Sequence, residues 1–494
     1  MYLLGLDIGT SSIKASVVDA KTRQVVASAQ YPDKEAAISS PQVGWAEQAP
    51  EMWWENTQTA IKRVIAKGGF DPMEIKSIGI SYQMHGLVMV DDQKNVLRPS
   101  IIWCDSRAVS TGQKAFEEIG EEKALSHLLN SPGNFTASKL AWVKQNEPEV
   151  YAKCYKIMLP GDYIGMKLTD QISTSNSGLS EGVFWDFCDN KVSEDVMSVY
   201  GFSMDLIPEI KPVFSNHGEV LPEIATSLGI NAGIPVSYKA GDQPNNALSL
   251  NVLNPGEIAA TAGTSGVVYA VSDQVSFDPK SRINSFAHVN HQMGGANRIG
   301  ILLCINGTGI LNSWIKHQIA KGIDYPEMNA AAEKVAVGSD GLVILPFGNG
   351  AERMLENKLV GAQIIGLDLN KHTDAHIYRA AQEGIAFSLK YGFDMMKANG
   401  VDPKVIRAGK ANMFLSSVFA QTIVNVTQTP VELYDTDGAK GAALGGGFGA
   451  GLYGSLSEAM DGLTLLETVS PEASKADSYQ KAYEQWVVAL EKYL

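Results

Sequence analysis

Cysteine is scarce in this 494-residue chain, with only Cys104, Cys154, Cys188 and Cys304 and no Cys-x-x-Cys pair among them. Their wide separation argues against a disulfide framework or a thiolate zinc site, and it suits a reducing cytoplasm, which is the expected location. No apolar run approaches the roughly 18 residues a membrane-spanning helix needs. The N-terminal segment has no basic stretch and Asp7 interrupts its apolar run, so no signal peptide is expected. Positive charge is in deficit: 40 Lys and Arg against 54 Asp and Glu leave a formal net charge of −14. That balance speaks against binding nucleic acid or anionic membranes, although a local cluster of donors can still hold an anion. A phosphate-binding G-x-x-x-x-G-K-[ST] loop is also missing; Gly409-Lys410 lacks the upstream glycine and the following hydroxyl. Gly445-x-Gly447-x-x-Ala450 imitates a dinucleotide fingerprint, but it follows a helical pattern instead of a strand, so close packing explains it better.

The chain is 45% hydrophobic and too long for one core. Two domains of roughly 200–250 residues are expected, with residues 1–248 first, 249–450 second and 451–494 as a helical tail. The break falls at Asn254-Pro255-Gly256. Strand patterns alternate with helical ones in both halves, which marks an α/β protein. The spacing predicts helices over Glu51–Lys67, Gln113–Leu129, Ile377–Lys397, Met413–Val424 and 473–494. The Ser/Thr/Asn-rich stretch 161–186 reads as loops and short strands.

Two glycine-marked hairpins stand out. In the first, Leu3–Val18, the turn is Gly9-Thr10-Ser11; in the second, Ile258–Val271, it is Gly263-Thr264-Ser265-Gly266. Aligning the turns also aligns the flanking apolar runs, and Asp7 then falls where Thr261 stands. The chain therefore reads as a duplication with the acid kept in one copy. Amides and hydroxyls in such turns form a concave donor cluster suited to phosphate. Asp242 follows a short apolar run and Gly241, and it precedes Gln243, Asn245 and Asn246. It is the candidate to take a proton from a substrate hydroxyl. Asp7, beside a hydroxyl-bearing turn, suits Mg²⁺ held through water, because Mg²⁺ prefers one or two carboxylates plus phosphate oxygens. Strand ends are also where ligands are met in such sheets, which brings in Trp103-x-Asp105; Met84-His85, normally a buried packing pair, sits between two strands beside Gln83.

Several motifs occur in order: Asp7-x-Gly9-Thr10-Ser11, Met84-His85-Gly86, Trp103-x-Asp105-x-Arg107, Gly241-Asp242-Gln243, Gly263-Thr264-Ser265-Gly266, Leu345-Pro346-Phe347, Arg379-Ala380-x-x-Glu383-Gly384 and Gly441-Ala442-Ala443. Together they resemble the FGGY carbohydrate kinases over essentially the whole chain. The resemblance implies two actin-like, ribonuclease-H-like α/β domains with a cleft between them, ATP and Mg²⁺ as cofactors, and a sugar as acceptor. Within the family, the Gln-Met-His-Gly element favours D-xylulose, with gluconate, ribulose, fuculose and glycerol as alternatives. A non-sugar actin-like ATPase is the rival outside it. By likeness, Asp242 is the general base. Gln83, Met84, His85, Trp103, Asp105, Asp242 and Gln243 would meet the acceptor. Gly9, Thr10, Ser11, Lys14, Gly263, Thr264 and Ser265 would meet the transferring phosphate, and Gly309, Ser313, Gly409, Lys410 and Asn412 the nucleotide. The sequence departs from the family pattern at Ala408-Gly409-Lys410-Ala411, where Gly-Gly-Gly-Ala is usual. A homodimer is the expected assembly.

Overall fold

The computed structural model describes residues 1–494. The chain forms two compact units and passes between them several times: residues 1–251, 286–299 and 436–463 make the first, and 252–285, 300–435 and 464–494 the second.

The first unit is built on a five-stranded sheet. Its strands are β1 (Tyr2–Ile8), β2 (Ile13–Asp19), β3 (Val25–Tyr31), β4 (Ile75–Tyr82) and β5 (Val236–Gly241), in the order β5-β4-β1-β2-β3. β1 runs antiparallel to β2 and parallel to β4, and β4 runs parallel to β5. The parallel strands are buried on both faces, which is why they read as unbroken apolar runs. Helix Pro50–Lys67 begins with proline in its first turn and buries Trp53, Ala60, Ile61 and Val64 against this sheet, as its spacing predicts.

The second sheet has seven strands: β6 (Glu257–Ala262), β7 (Gly266–Ser272), β8 (Asn284–Ala287), β9 (Ile299–Ile305), β10 (Val405–Gly409), β11 (Val431–Asp435) and β12 (Thr464–Val469). Their order is β8-β9-β7-β6-β10-β11-β12. β6 is antiparallel to β7 and parallel to β10, which is parallel to β11. The two predicted hairpins are therefore β1–β2 and β6–β7, each followed in its sheet by two parallel strands. The long helix runs Asp374–Ala398. Helix Ser417–Thr427 is capped by the Ser416 hydroxyl, which accepts from the Phe419 amide. No helix is long and apolar enough to cross a membrane.

Three features differ from the sequence expectations. The units are not contiguous halves. Helix Gly438–Gly449 packs on the first sheet, and the terminal helix Ala476–Glu491 is anchored in the second unit, where Trp486 Nε1 donates to the Ile344 carbonyl (3.0 Å). The stretch 161–186 holds two helices, Pro160–Thr169 and Asn176–Glu181. Both are buried nearly all round, so they carry no amphipathic stripe for a reader of the sequence to find. The predicted helix 113–129 is two helices, Val109–Ile119 and Glu121–Leu128, broken at Gly120, whose φ of 91° a helix cannot hold.

Glycine decides how helix Gly438–Gly449 sits. A Cβ on Gly5 would lie 1.8 Å from the Ala439 carbonyl oxygen, and one on Gly79 equally close to that of Ala442. Helix backbone thus lies directly on strand backbone at β1 and β4. Gly79→Ala should lower the stability of the first unit by about 3 kcal/mol or more, because rigid backbone must move to admit one methyl group. Denaturant unfolding of wild type and variant checks this, and an unchanged midpoint would contradict the account.

Candidate active site

In the first unit, the turn Gly9–Ser12 closes between Ile8 and Ile13, with the Gly9 amide donating to the Ser12 carbonyl (3.1 Å). Asp7 pairs in register with Lys14. The Lys14 ammonium makes a 2.6 Å ion pair with Asp437, the residue that caps helix Gly438–Gly449. A Cβ on Gly438 would lie 2.6 Å from Asp7 Oδ2, so the helix start presses on the Asp7 carboxyl. Burial raises the pKa of Asp7; the Ser81 hydroxyl works against this, Asp437 reinforces it, and Lys14 offsets part. Two carboxylates at a hydroxyl turn supply oxygen acceptors that fit a hydrated Mg²⁺, while the Lys14 ammonium offsets part of their charge. Asp437 has no place in the sequence reading.

The Thr10 hydroxyl donates to Gln83 Oε1 (3.0 Å) and accepts from Trp103 Nε1 (3.0 Å). Gln48 extends this network, donating to the Thr10 carbonyl (2.8 Å) and accepting from Trp53 Nε1 (3.0 Å). Gln48 is another residue the sequence reading missed. Trp103 is half exposed, and Met84 is buried. His85 takes φ +64°, a left-handed conformation uncommon for a residue with a side chain. It is held there from several sides. Lys139 Nζ donates to its carbonyl (2.8 Å), its Nδ1 lies 2.9 Å from the Glu181 carbonyl, and its ring packs edge-on to Phe135. Nδ1 must carry a proton to bond a carbonyl.

Asp105 behaves differently from the other predicted residues. It is fully buried, and its oxygens accept from the Ala46 amide (2.6 Å) and from Arg107 Nη2 (2.6 Å) and Nε (2.9 Å). The Arg107 guanidinium also pairs with Glu47 (2.6 Å) and stacks 3.8 Å above the Trp45 ring. With no exposed atom and its lone pairs taken, Asp105 braces the loop that carries Trp103.

Asp242 opens helix Asp242–Ser249 directly after β5. Its carboxyl is pushed up to about 7, first by burial and then by the charge of Asp7, while hydrogen bonds from Gln243 pull it down. A carboxylate with that value is suited to accept a proton near neutral pH.

In the second unit, the turn Gly263–Ser265 is fixed to the start of helix Gly309–Gln318. The Gly309 and Ile310 amides donate to the carbonyls of Gly263 (2.9 Å) and Thr264 (3.0 Å). Glu352, also unforeseen, accepts from the amides of Asn306 (3.0 Å) and Gly307 (2.9 Å), and so braces the loop before that helix. Burial raises its carboxyl to about 7. Beside the turn lies a cavity of about 440 Å³ lined by Gly263, Thr264, Gly309, Ser313 and Asn412, with Tyr325 and Asn329 as members the sequence reading missed. Ser265, Gly409 and Lys410 are outside its lining. Lys410, partly exposed, pairs with Glu467 on β12 (2.9 Å).

Comparison with known proteins bears on both constellations. Residues 2–249 match the N-terminal domain of the FGGY family of carbohydrate kinases, and residues 258–450 match its C-terminal domain. The chain is 31% identical to the xylulose kinase of Haemophilus influenzae over 99% of each chain. A solved structure of the xylulose kinase from Rhodospirillum rubrum superposes with a TM-score of 0.88 at 26% identity, over 100% of this chain and 99% of that one. The gluconate kinase from Lactobacillus acidophilus gives the same TM-score at 22% identity, over 99% and 98%, a likeness of fold alone.

The close fit at Gly309 is directly testable. A Cβ there would lie 2.2 Å from the Gly263 carbonyl oxygen. Relieving such overpacking costs about 1–3 kcal/mol, so Gly309→Ala should bind ADP about tenfold or more weakly, as measured by calorimetric titration. Unchanged affinity would remove this turn from the nucleotide site.

Proposed function

The chain belongs to the FGGY family of carbohydrate kinases, and from that premise we propose that it phosphorylates D-xylulose with ATP, yielding ADP and D-xylulose 5-phosphate, with Asp242 as general base. The observation that carries the reading is the Asp242 carboxyl, desolvated at the end of β5 and raised to about 7. Such a group takes up the hydroxyl proton as the acceptor oxygen attacks phosphorus. Support for D-xylulose as acceptor comes from full-length relatives named xylulose kinase.

Gln83, Met84, His85, Trp103 and Gln243 orient the acceptor. In the first unit the turn amides and hydroxyls of Gly9, Thr10 and Ser11, with Lys14, are suited to stabilise phosphoryl charge, and in the second unit those of Gly263, Thr264 and Ser265 are suited to the same task. Gly309, Ser313 and Asn412 hold the nucleotide in the cavity of the second unit. Asp7, through water and with Asp437 beside it, would hold Mg²⁺, which supplies charge neutralisation on the phosphates. Phosphoryl transfer is catalysed mainly by positioning and electrostatics, so no covalent enzyme intermediate is required.

A general base contributes about 10²–10⁴-fold. Asp242→Asn should cut kcat by at least that order in a coupled ADP-release assay, while D-xylulose binding persists. Near-normal turnover would require another base. Because the ionised form is the active one, kcat/KM should fall as pH drops through about 7 and level off above it. Across D-xylulose, D-ribulose, L-fuculose, D-gluconate and glycerol, the highest kcat/KM is expected for D-xylulose. A higher value for any other acceptor reassigns the substrate.

A further inference from the structure

Glu181 occupies a position that is costly on several counts. It is 2% exposed, it ends helix Asn176–Glu181, and an acid at a helix C-terminus is disfavoured by the backbone dipole. Two residues on, Val183 takes φ +59°, a strained conformation for a β-branched residue. Its surroundings are the elements described above as the acceptor site. The Glu181 carbonyl meets His85 Nδ1, and its carboxyl is hydrogen-bonded by the His85 amide and the Tyr82 hydroxyl. A Cβ on Gly241, the residue before Asp242, would lie 2.4 Å from Glu181 Oε2 and 2.6 Å from Met84 Cγ. The other oxygen, Oε1, is buried and has no partner in the protein. A buried polar atom left without a partner costs free energy unless something else meets it.

We propose that Glu181 is a residue of the acceptor site, that its Oε1 hydrogen-bonds a hydroxyl of a neutral ketose or polyol, and that its place among buried acids turns away acceptors bearing a carboxylate. The proposal rests on the kinase reading above. Burial, with the charges of Asp242 and Asp162, pushes the Glu181 carboxyl well above the ordinary range, which favours the neutral form, able to donate as well as accept. The two buried lysines of this region are already committed. Lys139 bonds the carbonyls of His85 and Ile102, and Lys239 pairs with Asp162 (2.7 Å) and the Ser173 carbonyl (2.6 Å). Neither is released to neutralise a sugar acid. A site built to hydrogen-bond a hydroxyl also discriminates strongly against analogues that leave its buried groups unpaired.

The test is steady-state kinetics of the full-length wild type, Glu181→Ala and Glu181→Gln with D-xylulose, D-gluconate and ATP, alongside thermal melts. Glu181→Ala should raise the KM for D-xylulose by about tenfold or more and leave the KM for ATP within about twofold. Glu181→Gln keeps a donor and an acceptor in the same volume, so it should recover most of that loss. If the alanine variant does not fold, Glu181→Ser takes its place with the same expectation. A purely structural role would lower melting temperature without splitting the two KM values. The proposal is overturned if folded Glu181→Ala or Glu181→Ser keeps the wild-type KM for D-xylulose, if both KM values rise together, or if wild type uses D-gluconate as efficiently as D-xylulose. A wild type with no acceptor-dependent ADP release overturns the kinase reading and this proposal with it; an active wild type with unmoved variants overturns the proposal alone.

Discussion

The first unit depends on a contact of backbone against backbone. Helix Gly438–Gly449 lies so close over β1 and β4 that the Ala439 and Ala442 carbonyls occupy the space where Gly5 and Gly79 would carry side chains. Such an approach requires glycine on the strands and small residues on the helix, and the Gly/Ala-rich composition of 438–450 answers that need. It also determines where the helix begins. Asp437 caps it by accepting from the Lys440 amide (2.9 Å), and its second oxygen takes the Lys14 ammonium (2.6 Å). Gly438, the first helical residue, is then pressed against the Asp7 carboxyl. A packing requirement at the centre of the sheet thus becomes an electrostatic arrangement at its end.

The arrangement is expensive for the folded protein alone. Asp7, Asp242 and Glu181 are each raised chiefly by burial, and carboxylates of neighbouring residues raise each of them further. His85 and Val183 add backbone strain. Stability would be served by replacing such groups with apolar ones. Their presence is understandable if bound groups supply the missing cation and hydrogen-bond partners, since sites with activity commonly carry this kind of local instability.

What could be read from sequence follows the range of the interaction. Both hairpins were legible because glycine turns and apolar runs are local signals. Helices Pro50–Lys67 and Asp374–Ala398 were legible because each offers a buried stripe. Helices Pro160–Thr169 and Asn176–Glu181 were not, because both are buried nearly all round and show no stripe; Asp162, paired with Lys239, looks like a loop residue until that lysine is in place. The same limit applies to single residues. Asp105 stands in a motif that suggests ligand contact, yet it is fully buried against Arg107. Gln48, Glu181, Glu352 and Asp437 carry no distinguishing spacing, and only the fold brings them to the site residues.

The duplication shows how one backbone plan can hold two kinds of chemistry. The sheets share a core order, β3-β2-β1-β4-β5 in one and β9-β7-β6-β10-β11 in the other. In the first hairpin Asp7 stands opposite Lys14; at the corresponding place in the second, Thr261 stands opposite Val267. The first turn runs Gly9–Ser12 and the second is shorter, Gly263–Ser265. Ala262, Gly263 and Thr264 border the second unit's cavity. An aspartate at position 261 would bring a negative charge next to these residues with valine, not lysine, across the hairpin to offset it. Such a charge would repel any anionic ligand of the cavity, and more strongly the less water intervened. The acid stands in the copy where an ammonium and a second carboxylate accompany it, and in the other copy threonine faces valine.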